Sequence, residues 1–212
     1  MRQRPYQRRR RGPILTLVVV LAVAAVATWT TVLVTASSSS GGVACPTPTA
    51  GPPPGTVLPP DALDAVAPVP PSTVKVRVLN AGGQRGQANL VAAQFGDLGF
   101  AQGAAPENDP LFPDGNMTCK GQIRFGPAGE GAASTVALAV PCVELVRDAR
   151  TDAGVDVAVG TAFGDVNPAK AARAVLDRLA APATGDGGAS NAPPAAPTVD
   201  QATLKTARDV SC

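Results

Sequence analysis

Residues 73–88 read TVKVRVLNAGGQRGQA. Val74, Val76 and Val78 alternate with Lys75 and Arg77, so residues 73–80 form a strand with one buried face. The glycine-rich turn 81–86 follows. Residues 87–98 then place Leu90, Val91, Phe95 and Leu98 at helical spacing, and Gly99 is suited to end that helix. Phe100–Ala104 is a weak second strand.

Working outward, residues 105–119 read as a polar loop holding Pro106, Pro110 and Pro113. Gln122–Phe125 is a short strand. Gly129–Arg147 reads as a second helix, with Pro141 kinking it or starting it afresh. Val155–Gly160 alternates as a last strand, and Pro168–Leu179 is an amphipathic helix with proline in its first turn. The order β-α-β, β-α-β predicts an α/β fold: one small sheet with helices packed on it, over residues 73–180. Residues 181–212 are a low-complexity tail ending in a short helix at Val199–Arg208 and in Cys212.

The N-terminal side has a different composition. Residues 1–13 are basic, with arginines at 2, 4 and 8–11. Residues 14–36 are an apolar segment in which 14–34 carry no charge, enough to span roughly 30 Å as a helix. The arginines before it orient a single-pass anchor with a cytoplasmic N-terminus and an extracytoplasmic C-terminal domain. Thr28, Thr30 and Thr31 are placed to bond back to the helix carbonyls. A cleaved signal peptide is the alternative, with 34–36 as the cleavage site. The run is longer than the usual signal core of about 7–15 residues, which favours a retained anchor. Residues 37–72, rich in Ser, Gly and Pro, read as an extracytoplasmic spacer with one helical turn at Asp61–Val66.

Composition narrows the chemistry. The 212 residues contain no histidine, which removes His-ligated metal sites and His-dependent nucleophile pairs. Outside the N-terminal cluster 12 basic groups face 16 acidic ones, so the body is mildly acidic and offers no nucleic-acid footprint. Asp148, Asp152 and Asp156 lack the pattern of a Ca²⁺ loop and read as a solvated loop paired weakly with Arg147 and Arg150. No cofactor motif stands out. The turn 80–86 departs from the dinucleotide fingerprint at Ala81.

Cys45, Cys119, Cys142 and Cys212 all lie beyond the apolar run. Four cysteines in an oxidising compartment point to two disulfides with three possible pairings. The expected pairing is Cys119–Cys142, a short loop worth about 3 kcal/mol in chain entropy, leaving Cys45–Cys212.

The run from Val74 to Ala88 resembles the opening of the LytR C-terminal domain family. There a strand ends in an Asn-Gly-x-Gly-x-x-Gly turn before a helix. Asn80, Gly83 and Gly86 match; Ala81 departs from the first glycine. The later strands and the Ala-rich helix follow in the family's order. The resemblance implies a cell-envelope role and, because the domain often trails LCP phosphotransferases, an LCP-type partner. It carries no binding residues with it.

The candidate ligand contacts come from the residues themselves. Asn80, Gly82, Gly83, Arg85 and Gly86 offer backbone N–H groups and a cation to an anion or glycan, or simply shape the turn. Phe112, in a Pro-flanked loop, is a candidate interface contact or a cap on the core. The combined expectation is a non-enzymatic envelope protein that binds cell-wall glycopolymer or scaffolds envelope assembly. An adaptor of an LCP-type ligase is the alternative. A glycopolymer transferase ranks last, since such chemistry needs convergent cations or metal-binding carboxylates.

Overall fold

Val74, Val76 and Val78 are buried on one face of a strand, β2, that runs from Lys75 to Asn80. The computed structural model describes residues 18, 20–25, 28, 44–181 and 199–212. Residues 18, 20–25 and 28 are helical, and Thr28 Oγ1 donates to the carbonyls of Ala24 and Ala25 at 3.0 and 2.8 Å. No helix among the described residues is long and apolar enough to cross a membrane. Most of the expected anchor, 14–36, and the first part of the expected spacer, 37–43, lie outside the described residues.

The described residues carry seven strands: β1 (Gly55–Leu58), β2, β3 (Ala101–Gln102), β4 (Glu107–Asn108), β5 (Gly121–Phe125), β6 (Glu144–Asp148) and β7 (Val155–Val159). They form one sheet in the order β1-β6-β5-β7-β2-β3, with β4 following β3 along the same edge of β2. The β2/β7, β5/β6, β2/β3 and β2/β4 pairs are parallel; β5/β7 and β1/β6 are antiparallel. Helices α1 (Gln87–Asp97), α2 (Glu130–Ala139), α3 (Lys170–Ala180) and α4 (Gln201–Arg208) supply the cover for one sheet face. That face presents Val76, Val78, Ile123, Phe125, Leu145, Val155, Val157 and Val159 to Val91, Phe95, Val136, Leu176 and Leu204 of the helices. Phe95 and Phe100 meet edge to face, with ring centroids 5.2 Å apart.

Three sequence expectations change here. The stretch 129–147 is not one helix. It ends at Ala139, Pro141 and a left-handed Cys142 (φ 63°) turn the chain, and 144–148 returns as a strand parallel to β5. Proline ends the helix, and Glu144-Leu145-Val146 then faces alternate sides of the sheet. The loop 105–119 is not simply polar. Phe112 and Met117 are buried with Leu79, Ala81 and Ala158 in a second cluster on the other sheet face. The helix α1 buries Ala88, Val91 and Phe95, while Leu90 points outward and is 60% exposed.

The described part of the expected spacer is folded as well. Residues 45–72 run across the domain: β1 adds an edge to the sheet, Leu63 is buried, and the turns at 59–66 match the expected helical turn. Val69 N–H donates to Thr135 Oγ1, and Thr135 Oγ1 donates to Val69 O, both at 2.8 Å. A proline-rich strap of this kind needs no core of its own, because the sheet and α2 supply the buried surface it lacks. The C-terminal helix is tied to the strap by Arg208, whose guanidinium donates to the carbonyls of Asp64 and Val66 and to Ser134 Oγ. Asp200 caps this helix by accepting from Thr203 N–H at 2.9 Å.

The cysteines do not pair as the sequence suggested. The bonds are Cys45–Cys119 and Cys142–Cys212, across 74 and 70 residues. The expected short Cys119–Cys142 bridge would join two neighbouring parts of the sheet that β5/β6 pairing already holds together. The observed bonds instead fasten the strap and the C-terminus.

On the face away from the helices the sheet carries charge. Arg77 donates to Asp156 through Nε (2.9 Å) and Nη2 (2.6 Å), and Arg150 Nη2 reaches the same carboxylate at 2.7 Å. Asp156 is therefore a strand residue, 5% exposed, and not part of a solvated loop. Burial pushes its carboxyl upward, but the hydrogen bonds from the two arginines outweigh burial and hold the pKa below the ordinary carboxylate range. Arg147 pairs with Glu130 instead.

Three outcomes follow. Peptide mapping without reduction recovers Cys45 joined to Cys119 and Cys142 to Cys212. Replacing Cys45 and Cys119 together by Ala lowers unfolding free energy by about 4 kcal/mol under chain-entropy bookkeeping for so long a loop. For Asp156 the folded-state pKa is depressed. Its contribution is complete above the unfolded-state value and is lost as pH falls through the folded-state value. Asp156→Asn flattens that acid limb in denaturant titrations run at several pH values. At neutral pH it costs about 2–4 kcal/mol, less than a fully buried pair because Arg77 is 37% exposed at its side chain.

Candidate functional site

The glycine-rich turn after β2 is built around Asn80. Its Oδ1 accepts from the backbone N–H groups of Gly82 (3.2 Å) and Gly83 (3.1 Å), and its Nδ2 donates to Gln84 O at 2.8 Å. Asn80 is buried and fully occupied in this work. Two of the N–H groups that an anion would need are therefore already bonded within the turn.

The glycines answer a packing demand. A Cβ on Gly82 would lie 2.7 Å from the backbone of Gly160, and one on Gly115 only 2.3 Å from Gly83 Cα. Residues 115–120 cross the ends of β2 and β7 at backbone contact: Met117 N–H donates to Ala81 O, Thr161 N–H to Met117 O and Gly160 N–H to Lys120 O. Gly83 and Gly86 adopt left-handed φ values of 74° and 77°, which glycine reaches without strain.

Among the sequence candidates, Arg85 is exposed, and the backbone of Gly83 and Gly86 borders a cleft of about 390 Å³. Asn108, Asp114 and Gly115 also line it. Phe112 borders the same cleft but is 1% exposed, so it is a core residue beneath the site and not an interface contact. Sequence reasoning missed Asn108 and Asp114. They stand more than 20 positions from the turn, and only the return of 107–115 along β2 brings them to it.

A buried polar chain lies beneath the loop that completes this cleft. Asp109, fully buried, sits 2.8 Å from Arg124 Nη2, an ion pair by distance without hydrogen-bond alignment. Its Oδ1 accepts from Leu111 N–H at 2.9 Å. Arg124 donates to Gln122 Oε1 through Nε and Nη2, and Gln122 Nε2 donates to Glu144 Oε2 at 2.6 Å. Glu144 Oε1 accepts from Cys45 N–H at 3.1 Å. The chain links loop, sheet and strap at the Cys45–Cys119 bond.

Comparison with known proteins gives this geometry a setting. Residues 73–163 match the family described as LytR cell envelope-related transcriptional attenuator. The cell envelope integrity protein Cei of Mycobacterium tuberculosis is 50% identical over 98 residues, covering 46% of this chain and 45% of Cei. The chain thus aligns with under half the length of that curated relative. The crystal structure of the soluble domain of a conserved hypothetical secreted protein from Mycobacterium marinum is 37% identical, with a TM-score of 0.62, covering 75% of this chain and 99% of that one. From the Asn80 turn to the strand β7, this chain belongs to the LytR C-terminal domain family.

Proposed function

We propose that the chain is a membrane-anchored cell-envelope protein whose disulfide-braced domain binds wall polymer and so supports envelope integrity. The envelope setting is supported by the family and by the name of the Mycobacterium tuberculosis relative. Two disulfides and the secreted Mycobacterium marinum relative support an extracytoplasmic domain. The observation that carries the binding reading is the cleft at the Asn80–Gly86 turn. It is a concavity with exposed polar side chains, resting on close glycine contacts and a buried ion pair. Its volume lies in the range of small-ligand sites, with a lining more polar than most. The role needs no covalent step.

A second reading is an adaptor for an LCP-type envelope enzyme. Leu90 favours it: a large apolar side chain, 60% exposed, on the helix α1 that also walls an apolar slot of about 360 Å³ over Val76, Val78, Phe95 and Phe100. Exposed apolar surface of this kind suits a protein partner better than a sugar.

The full oxidised chain in detergent, sedimented with purified peptidoglycan–arabinogalactan, separates the two. Saturable pelleting that survives Leu90→Lys supports wall binding. Absent pelleting, together with co-purification of an LCP protein that Leu90→Lys abolishes, moves the function to the adaptor. Turnover of a polyprenyl-linked glycan donor by the pure chain overturns both.

A further inference from the structure

The turn's own hydrogen bonds decide what kind of ligand its cleft can hold. A phosphate would be gathered by successive free N–H groups and by positive charge. Here Gly82 and Gly83 N–H are spent on Asn80 Oδ1. A carboxylate, Asp114, lines the same cleft as Arg85. The two do not form an ion pair, and the side chains of Arg85, Asn108 and Asp114 have no hydrogen-bond partner among the described residues. Many charges on the sheet and its loops are answered from within the fold: Arg77, Arg124, Arg147 and Arg150 each hold a carboxylate. The cleft keeps a fork of donors, a pair of acceptor oxygens and an amide that offers both, all open to one ligand.

We propose that this cleft takes the hydroxyl groups of a neutral carbohydrate and discriminates against phosphate. The assignment rests on the wall-polymer reading above and names its subsite. A sugar hydroxyl donates and accepts at once, so it satisfies Arg85 and Asp114 together. An anion can accept from Arg85 and the Asn108 amide but leaves Asp114 unanswered and meets repulsion from it. Gly83 and Gly115 border the cleft as bare backbone, their missing side chains letting the turn and the loop touch each other directly. The aromatic ring nearest the site, Phe112, is buried, so no stacking platform supplements these bonds. Affinity therefore depends steeply on the few polar groups present.

The test is saturation-transfer NMR on the full oxidised chain in detergent. The probes are the neutral oligosaccharides released from arabinogalactan by mild acid and, separately, inorganic phosphate at matched ionic strength. Signals are expected from sugar protons, undisturbed by phosphate. Arg85→Ala and Asp114→Asn should each weaken the sugar about tenfold, the loss typical of one charge-assisted hydrogen bond. Both residues are exposed and unpartnered, so circular dichroism and the disulfide map should stay unchanged in the variants. Displacement of sugar by phosphate from the unsubstituted chain overturns the neutral-ligand assignment; phosphate that competes only in Asp114→Asn, where the repelling carboxylate is gone, supports it. Unaltered sugar binding in both variants places the subsite elsewhere. In either case wall co-sedimentation still stands or falls on its own result, so failure of the subsite and failure of the wall-polymer reading are told apart.

Discussion

A guanidinium taken out of water has to be answered from inside the protein, and Arg124, next to the last residue of β5, is 3% exposed. Its answer, Asp109, comes from the loop after β4. That single demand lays residues 109–119 flat against the sheet, buries Phe112 and Met117 with them, and brings Cys119 to the strap. Gln122 and Glu144 carry the same polarity sideways to the Cys45 amide. Buried ion pairs add little net stability against an apolar replacement, but losing one partner is costly. Their value here is in position. The loop has one place where its carboxylate is tolerated, and the disulfide forms where that place puts the sulfurs.

The same loop finishes the candidate site. Residues 115–120 meet the turns after β2 and β7 with no side chain between them, at Gly82, Gly83, Gly115 and Gly160. The family motif in the turn is thus explained by backbone contact and by the Asn80 hydrogen bonds before any ligand is considered. In the proposed carbohydrate subsite, recognition falls to side chains that the motif does not include. Two members of a family can share the turn and differ in ligand, since Arg85, Asn108 and Asp114 are free to change without disturbing it.

Much of the fold was legible in the sequence from Thr73 to Gly99. Strict alternation of valines, glycines at special φ and a helix stop are local signals, and each appears where the residues put it. The region 129–147 was not, because its small apolar residues satisfy a helical period while 144–148 also alternates; only the neighbouring β5 decides for strand. The strap from 45 to 72 was illegible for a different reason. Proline-rich composition reports the absence of an independent core and is silent on borrowed burial. The disulfide pairing and Asp114's place at the cleft depend on contacts between residues far apart in the chain, which no local pattern encodes. Leu90 misled in the opposite sense: helical spacing gave it a core face that Ala88, Val91 and Phe95 already fill.

The two disulfides enclose residues 45–119 and 142–212, in tandem and without overlap. A protease that cuts once inside either loop leaves both fragments covalently joined. This includes a cut in the Ala/Gly/Pro-rich stretch before α4. Within the domain only the interval between Cys119 and Cys142 is outside both loops, and it consists of β5, α2 and their connection, among the most buried parts of the molecule. The interval the cross-links leave uncovered is thus mostly buried, with Pro127 and Ala128 exposed between β5 and α2. A nicked copy remains one molecule until a reductant reaches it.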